Sequence, residues 1–265
     1  MPDRRHEIWA QLAAHAAARG ARVSVADVCG VAAGSAGLSG AWVIATATAS
    51  EQPDFVMYVT DSVCEELAEL QLTLGEGPCH DVLVAAAPVL AAGLDDAESS
   101  RRWPAFTPAA LDLGAEAVFA FPLIVGAILP GVMGAYRRSG GPLTSGQLGD
   151  LLILADVATV LLLDAAAAGT AGAAGTAGAD GAAAADGHEV WLDGQSPDLA
   201  LHRAEIDQAT GMLTEQLGVT VTEAFARLRA YAYSQDRRLA DVAGDVVARR
   251  LRLPPDPEPI PGGGP

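Results

Sequence analysis

The sequence predicts two folded units: an α+β domain with an antiparallel sheet flanked by helices, then an all-α three-helix bundle. Three observations predict it. Over the first 164 residues, short β-runs stand next to one another among helical patterns. Residues 165–187 (AAAAGTAGAAGTAGADGAAAADG) then contain nothing that could anchor a core. Beyond them every apolar pattern has a helical period.

In the first unit, residues 7–18 read as a helix and 24–31 as a second, with Ser24 placed as its N-cap. Residues 41–48 (AWVIATAT) and 54–60 (DFVMYVT) are β-runs separated by a polar EQP turn. Residues 62–72 look helical, with Ser62 as cap. LGEGPCHDVL follows, a Gly-Glu-Gly-Pro turn that should open a helix with Pro78 in its first turn. A short strand is expected at 88–91 and a broken helix at 102–113. Apolar runs 118–125 and 131–137 form a hairpin. In the helix at 144–163, Leu148, Leu151, Leu152, Ala155, Thr159 and Leu162 follow one face.

In the second unit, residues 203–217 place Ile206, Ala209, Thr210, Leu213 and Leu217 on one stripe, and Gly218 ends the helix. Thr220 and Glu223 have capping-box spacing. Ala224, Phe225, Leu228, Tyr231 and Ala232 then face a core. Asp236 is the expected cap of a third helix carrying Leu239, Val242, Ala243, Val246, Val247 and Leu251. The resulting divisions are 1–164, a linker at 165–198, the bundle at 199–253 and a disordered Pro/Gly tail at 254–265.

The 265 residues carry a net charge of −17, and all 16 basic residues are Arg. The charge is uneven. Residues 1–202 hold 8 Arg and 24 acidic residues, whereas 203–253 hold 8 Arg and 7. A polyanion partner, excluded by the overall charge, is therefore admissible at the bundle. Three cysteines are too few for a disulfide framework, and no CxxC, P-loop or HExxH is present, so no metal is expected. No apolar run follows the charged MPDRRHEIW start, so no signal peptide is expected. Residues 117–136 lack charge but hold Pro122, Gly126, Pro130, Gly131 and Gly134, which favours a buried hairpin over a membrane span. A reduced, cytoplasmic protein is the expectation.

Gly211 should destabilise a helix interior by about 1 kcal/mol relative to Ala. With Ala209 and Thr210 it makes a small-residue patch suited either to tight helix packing or to an approaching RNA backbone. Arg237 and Arg238 fall in the expected first turn of the third helix, where the macrodipole disfavours cations. They read either as a phosphate-facing surface or as a solvated face. Ser234 and Arg229 lie nearby. Tyr233 is a better candidate for stacking on a base than Tyr231, which belongs to the core pattern.

Residues 20–164 resemble the GAF domain, a PAS-related ligand-sensing fold, through LGEGPCHDVL, RRWPAF and PLIVGAILPGVMGAYRRSGGPLTSGQLGDLLILADVATVLL in that order. Residues 203–251 resemble the ANTAR domain through QATGML, the GV before the second helix, EAFARLR and DRRLADVA. The two together resemble sensor-plus-ANTAR antitermination regulators. That resemblance implies binding of paired RNA stem-loops by a homodimer, so that a terminator does not form. It assigns RNA contacts to Ala209, Thr210 and Gly211 and to Arg237 and Arg238, supported by Arg229 and Ser234. Where many members carry a basic residue this chain has Thr210, which shifts phosphate contact towards the third helix.

A small-molecule or redox signal is expected in the first unit, in a pocket near Trp42, Tyr58, Cys79 and Trp103. Cys79 at a helix start could have a lowered pKa. Adjacent Cys79 and His80 do not face each other as a nucleophile pair would, so an enzyme is not expected. The acid pairs Glu65-Glu66 and Asp95-Asp96 read as solvated faces or loops. Two alternatives share the architecture: a bundle that binds DNA or protein, and a GAF-type cysteine reductase.

Overall fold

The computed structural model describes residues 2–35, 37–46, 54–175 and 197–254. The expected EQP turn, most of the linker and all but the first residue of the tail lie outside these residues. Among the described residues five strands form the sheet: β1 (Gly40–Ala45), β2 (Phe55–Val59), β3 (Val89–Ala91), β4 (Ala117–Val125) and β5 (Ile128–Arg137). Their order is β2-β1-β5-β4-β3, and every pairing is antiparallel. The uncharged run at 117–136 is thus the β4–β5 hairpin at the heart of the sheet. Among the described residues no helix is long and apolar enough to cross a membrane.

Strand alternation sends two sets of side chains to opposite faces. Ala41, Val43 and Ala45 join Phe119, Phe121, Met133 and Ala135 under α1 (Pro2–Arg19), α2 (Val25–Ser35) and α7 (Ser145–Gly175). Trp42 and Ile44 join Val118, Ala120, Val132 and Tyr136 under α3 (Ser62–Leu74), α4 (Pro78–Ala85) and α6 (Phe106–Asp112), and α5 (Ala97–Arg102) leads into this layer through Trp103. Trp42 sits opposite Gly134, and a Cβ there would collide with its indole. A strand glycine is normally a weakness, but here it makes room for the largest buried side chain of that layer.

Local chemistry sets the helix ends. Asp61, rather than Ser62, caps α3: its Oδ1 accepts the Cys64 N–H at 2.7 Å, and a carboxylate also suits the helix N-terminus. In the LGEGP turn, Gly75 at φ 68° closes α3, and Gly77 at φ 125° leads into Pro78 at the start of α4. Glu76 between them accepts the Ala105 and Phe106 N–H groups at 2.6 and 2.7 Å, tying the turn to α6. Asp96 caps α5 through the Ser99 N–H at 2.7 Å, so this acid has a structural task. On the other face Asp27 is buried, and its Oδ2 accepts the Arg19 Nη2 and Ser24 N–H at 2.6 and 2.8 Å. α7 runs on to Gly175, beyond the expected end at 163. A helix already nucleated by core packing propagates readily through Ala.

The remaining described residues form α8 (Pro197–Leu217), α9 (Val221–Ser234) and α10 (Leu239–Val247). Ala209, Leu213, Ala224, Leu228, Ala232, Leu239, Val242, Ala243 and Val246 make their common core. Thr220 caps α9, its Oγ1 accepting the Glu223 N–H at 3.2 Å. The third helix starts differently from expectation. Asp236 is not its cap but a turn residue at φ 49°, and the Arg237 N–H donates to the Ala232 carbonyl. Arg238 occupies the N-cap position and supplies no side-chain cap. The two arginines therefore precede α10 rather than lie in its first turn.

Two predictions follow from this packing. Gly134→Ala should lower unfolding free energy by roughly 1–3 kcal/mol through overpacking against Trp42, read as a lower denaturant midpoint. An unchanged midpoint would show that the indole can move aside. Burial raises the Asp27 pKa, but Arg19 and Ser24 outweigh it, so the carboxyl stays below its ordinary 3.8. Its stabilisation is therefore full above that value and is lost as pH falls through the lowered one. Asp27→Asn should flatten this acid limb of a stability–pH curve.

Candidate nucleic-acid interface

The residues expected to meet RNA fall into three environments. Ala209 and Thr210 are buried in the bundle, and the Thr210 Oγ1 donates to the Ile206 carbonyl at 2.7 Å. Gly211, next in sequence, faces outward: a Cβ built on it meets nothing within 4 Å. It lines an open groove of about 630 Å³ with Met212, Val246, Arg249, Leu251 and Arg252. Helix packing is therefore not the reason for a glycine here.

Ser234, Arg237 and Tyr233 form the second group, around the α9–α10 turn. Tyr233 is 61% exposed, whereas Tyr231 packs against the bundle core. The Ser234 Oγ donates to the Tyr231 carbonyl at 2.9 Å. Arg237 donates to Asp245 Oδ2 at 2.7 Å, and its charged form is favoured by that carboxylate.

Arg229 and Arg238 form the third group, and both contact the N-terminal domain. The bundle lies against α3 and the edge of β2. Arg238 donates from Nε to Glu69 Oε2 at 2.9 Å and from Nη2 to Glu65 Oε1 at 2.7 Å. Glu69 Oε1 accepts the Ala240 N–H at 2.9 Å, one of the free amides in the first turn of α10. Burial opposes the Arg238 charge, but Glu69 and Glu65 more than offset it and its pKa is raised. Arg229 donates from Nε to the Thr73 carbonyl at 3.0 Å and lies against Gly75 at the end of α3. Burial lowers its pKa, against an opposing effect of Asp54. Two further contacts complete the seam. The Arg203 guanidinium lies 3.4 Å from the Phe55 ring centroid, and His202 Nδ1 is 3.2 Å from Glu65 Oε1.

The four residues expected around a sensor pocket are divided by the sheet. Trp42, Cys79 and Trp103 share the layer under α3–α6, whereas Tyr58 packs against the opposite layer. The reason is register: Tyr58 pairs with Val43, whose side chain points away from that of Trp42. Among the described residues none is a hydrogen-bond partner for the buried Trp42 Nε1. A cavity of about 130 Å³ reaches Cys79 from the seam, between Ile44, Gln71, His80 and Arg229. Burial pushes the Cys79 thiol up to about 12, so the expected lowering at a helix start does not occur. Cys64 is likewise pushed up to about 12 by burial, and Cys29 is raised in the opposite layer. Asp81 accepts from Arg102 Nε at 2.5 Å and Trp103 Nε1 at 3.1 Å, which holds α4 to α5. Among the described residues no group of His, Cys, Asp or Glu is placed to hold a metal ion.

Residues 200–247 match the ANTAR domain family. This segment is an ANTAR domain. The match spans all three bundle helices, from α8 to the last residue of α10. The N-terminal domain is similar in structure to the GAF domain of a phosphoenolpyruvate-protein phosphotransferase from Acinetobacter, at 13% identity and TM-score 0.46, over 63% of this chain and 96% of that one. It is also similar to the GAF domain of the Coxiella burnetii phosphoenolpyruvate-protein phosphotransferase, at 15% identity and TM-score 0.48, over the same shares. Among curated proteins none matches the chain.

The acidic half of the ANTAR contact is not legible in the sequence. Glu65 reads as a solvated face, and Glu69 carries no motif. Their spacing of four puts them on one face of α3, yet nothing local announces that Arg238, 173 residues after Glu65, meets them. The placement of the cysteines gives a direct test. All three thiols should resist a thiol-specific reagent at pH 8 in the native protein and react after unfolding. Rapid native labelling of Cys79 would contradict the buried, protonated state.

Proposed function

We propose that this chain is a signal-responsive regulator that binds stem-loop RNA through its ANTAR domain and acts as a transcription antiterminator. The observation that carries this reading is the family match across the whole bundle. Charge distribution is consistent with it, since half the arginines lie in one fifth of the chain. The turn bearing Tyr233, Ser234 and Arg237 offers an exposed aromatic ring suited to stacking on an unpaired base, beside an arginine on which a phosphate would replace Asp245. The groove beside Gly211 adds Arg249 and Arg252, with Glu215 on the same lining.

The N-terminal domain would serve as a GAF-type sensor for a small molecule entering the cavity beside Cys79, Gln71 and His80, working in the cytoplasm and without catalysis. Buried thiols with raised pKa values favour a small ligand over direct redox sensing. A net charge of +1 over 203–253 makes binding by a single copy weak. A homodimer engaging paired stem-loops would raise it through effective concentration.

Binding of the full chain to fluorescent stem-loop RNA, compared with duplex DNA of matched length across a salt series, tests the proposal. RNA should be preferred and should be lost as salt rises. Arg237→Ala should reduce the salt slope by about 0.7–0.9. Equal binding of the duplex, or no RNA binding at any salt, would overturn it.

A further inference from the structure

We infer that Glu65 and Glu69 compete with RNA for the ANTAR domain, standing as carboxylates where phosphate oxygens would sit at the entrance to α10. This inference rests on the RNA-binding reading above and adds the regulation of that surface. Glu69 uses one oxygen for the Arg238 guanidinium and the other for the Ala240 N–H. A bidentate anion bridging an arginine and a free helix N-terminal amide is how a phosphate is held. Glu65 engages Arg238 Nη2 as well. The same docking commits Arg229 to the Thr73 carbonyl. Thus two of the three arginines expected to face RNA are occupied by α3 or its end.

The contact is suited to being broken. The Arg238 side chain is 42% exposed while Glu65 and Glu69 are 20% and 12% exposed, so parting the domains returns largely buried carboxylates to water, and that rehydration offsets much of the loss of the ion pairs. A polyanion with several phosphates can therefore displace it. α3 also joins this surface to the interior of the N-terminal domain. Its opposite face carries Cys64, Leu67, Ala68 and Gln71 into the layer of Trp42 and Cys79, and Gln71 Oε1 accepts the Cys79 N–H at 2.7 Å. A ligand that repositions α3 from that layer would move both carboxylates together. Such a ligand shifts the equilibrium only by its difference in affinity for the docked and released states.

The test uses the full chain with Glu65 and Glu69 changed together to Gln, which keeps their volume and removes their charge. Two readouts are needed: amide hydrogen exchange over residues 238–241, and binding of a pool of stem-loop RNAs with randomised loops. The double variant should exchange faster at Ala240 and bind the pool at least tenfold more tightly than wild type. Arg238→Ala in that background should remove most of the gain. Glu65→Gln alone, which leaves the Glu69 contact to Ala240, should give a smaller gain and covers the case of a misfolded double variant. Faster exchange with unchanged or weaker RNA binding, in a protein whose wild type binds the pool, overturns the competition and leaves the RNA reading standing. Faster exchange with no RNA binding by any form overturns the RNA reading, and the competition falls with it.

Discussion

The arrangement of the two domains depends on a helix that must satisfy opposite demands on its two sides. α3 buries Cys64, Leu67, Ala68 and Gln71 against the sheet, and presents Glu65 and Glu69 to the start of α10. The buried residues fix the rotation of the helix, because turning it would expose them and strand the Gln71 amide. That rotation in turn decides where the two carboxylates point. The position of the ANTAR domain is therefore set from within the N-terminal core.

The sheet imposes a second constraint. β5 is its central strand, paired with β1 on one side and β4 on the other. Gly134 in that strand makes room for Trp42, whose indole helps fill the layer beneath α3 and α4. The ligand layer proposed for sensing is thus continuous with the helix that contacts the ANTAR domain. The division of Trp42 from Tyr58 by the sheet shows why this matters. Two residues in adjacent strands can be near in sequence pattern yet belong to separate cores.

Much of the architecture was legible in the sequence because it depends on local rules. Short β-runs and the uncharged apolar hairpin located strands, the Gly-Glu-Gly-Pro turn located the α3–α4 junction, and Thr220 with Glu223 marked the second bundle helix. What was illegible depended on competition between neighbours or on distant partners. Asp61 displaced Ser62 as a cap, and Asp236 took a left-handed turn instead of capping α10. Gly211 could be recognised as anomalous, but not that it would face an open groove while Ala209 and Thr210 were buried. The acidic partners of Arg238 were hidden because no periodicity links residues of separate domains. Charge asymmetry indicated that the bundle could meet an anion. It could not indicate that the nearest anions belonged to the same chain.

The start of α10 has a cap borrowed from another domain. Arg238 supplies none, and Glu69 reaches across the seam to the Ala240 amide. Whenever the domains part, this nine-residue helix is left with a bare entrance and a tendency to fray there. Its order is thus conditional on company. The affinity of the freed surface for any incoming strand includes the work of rewinding that first turn, which ties recognition to local folding.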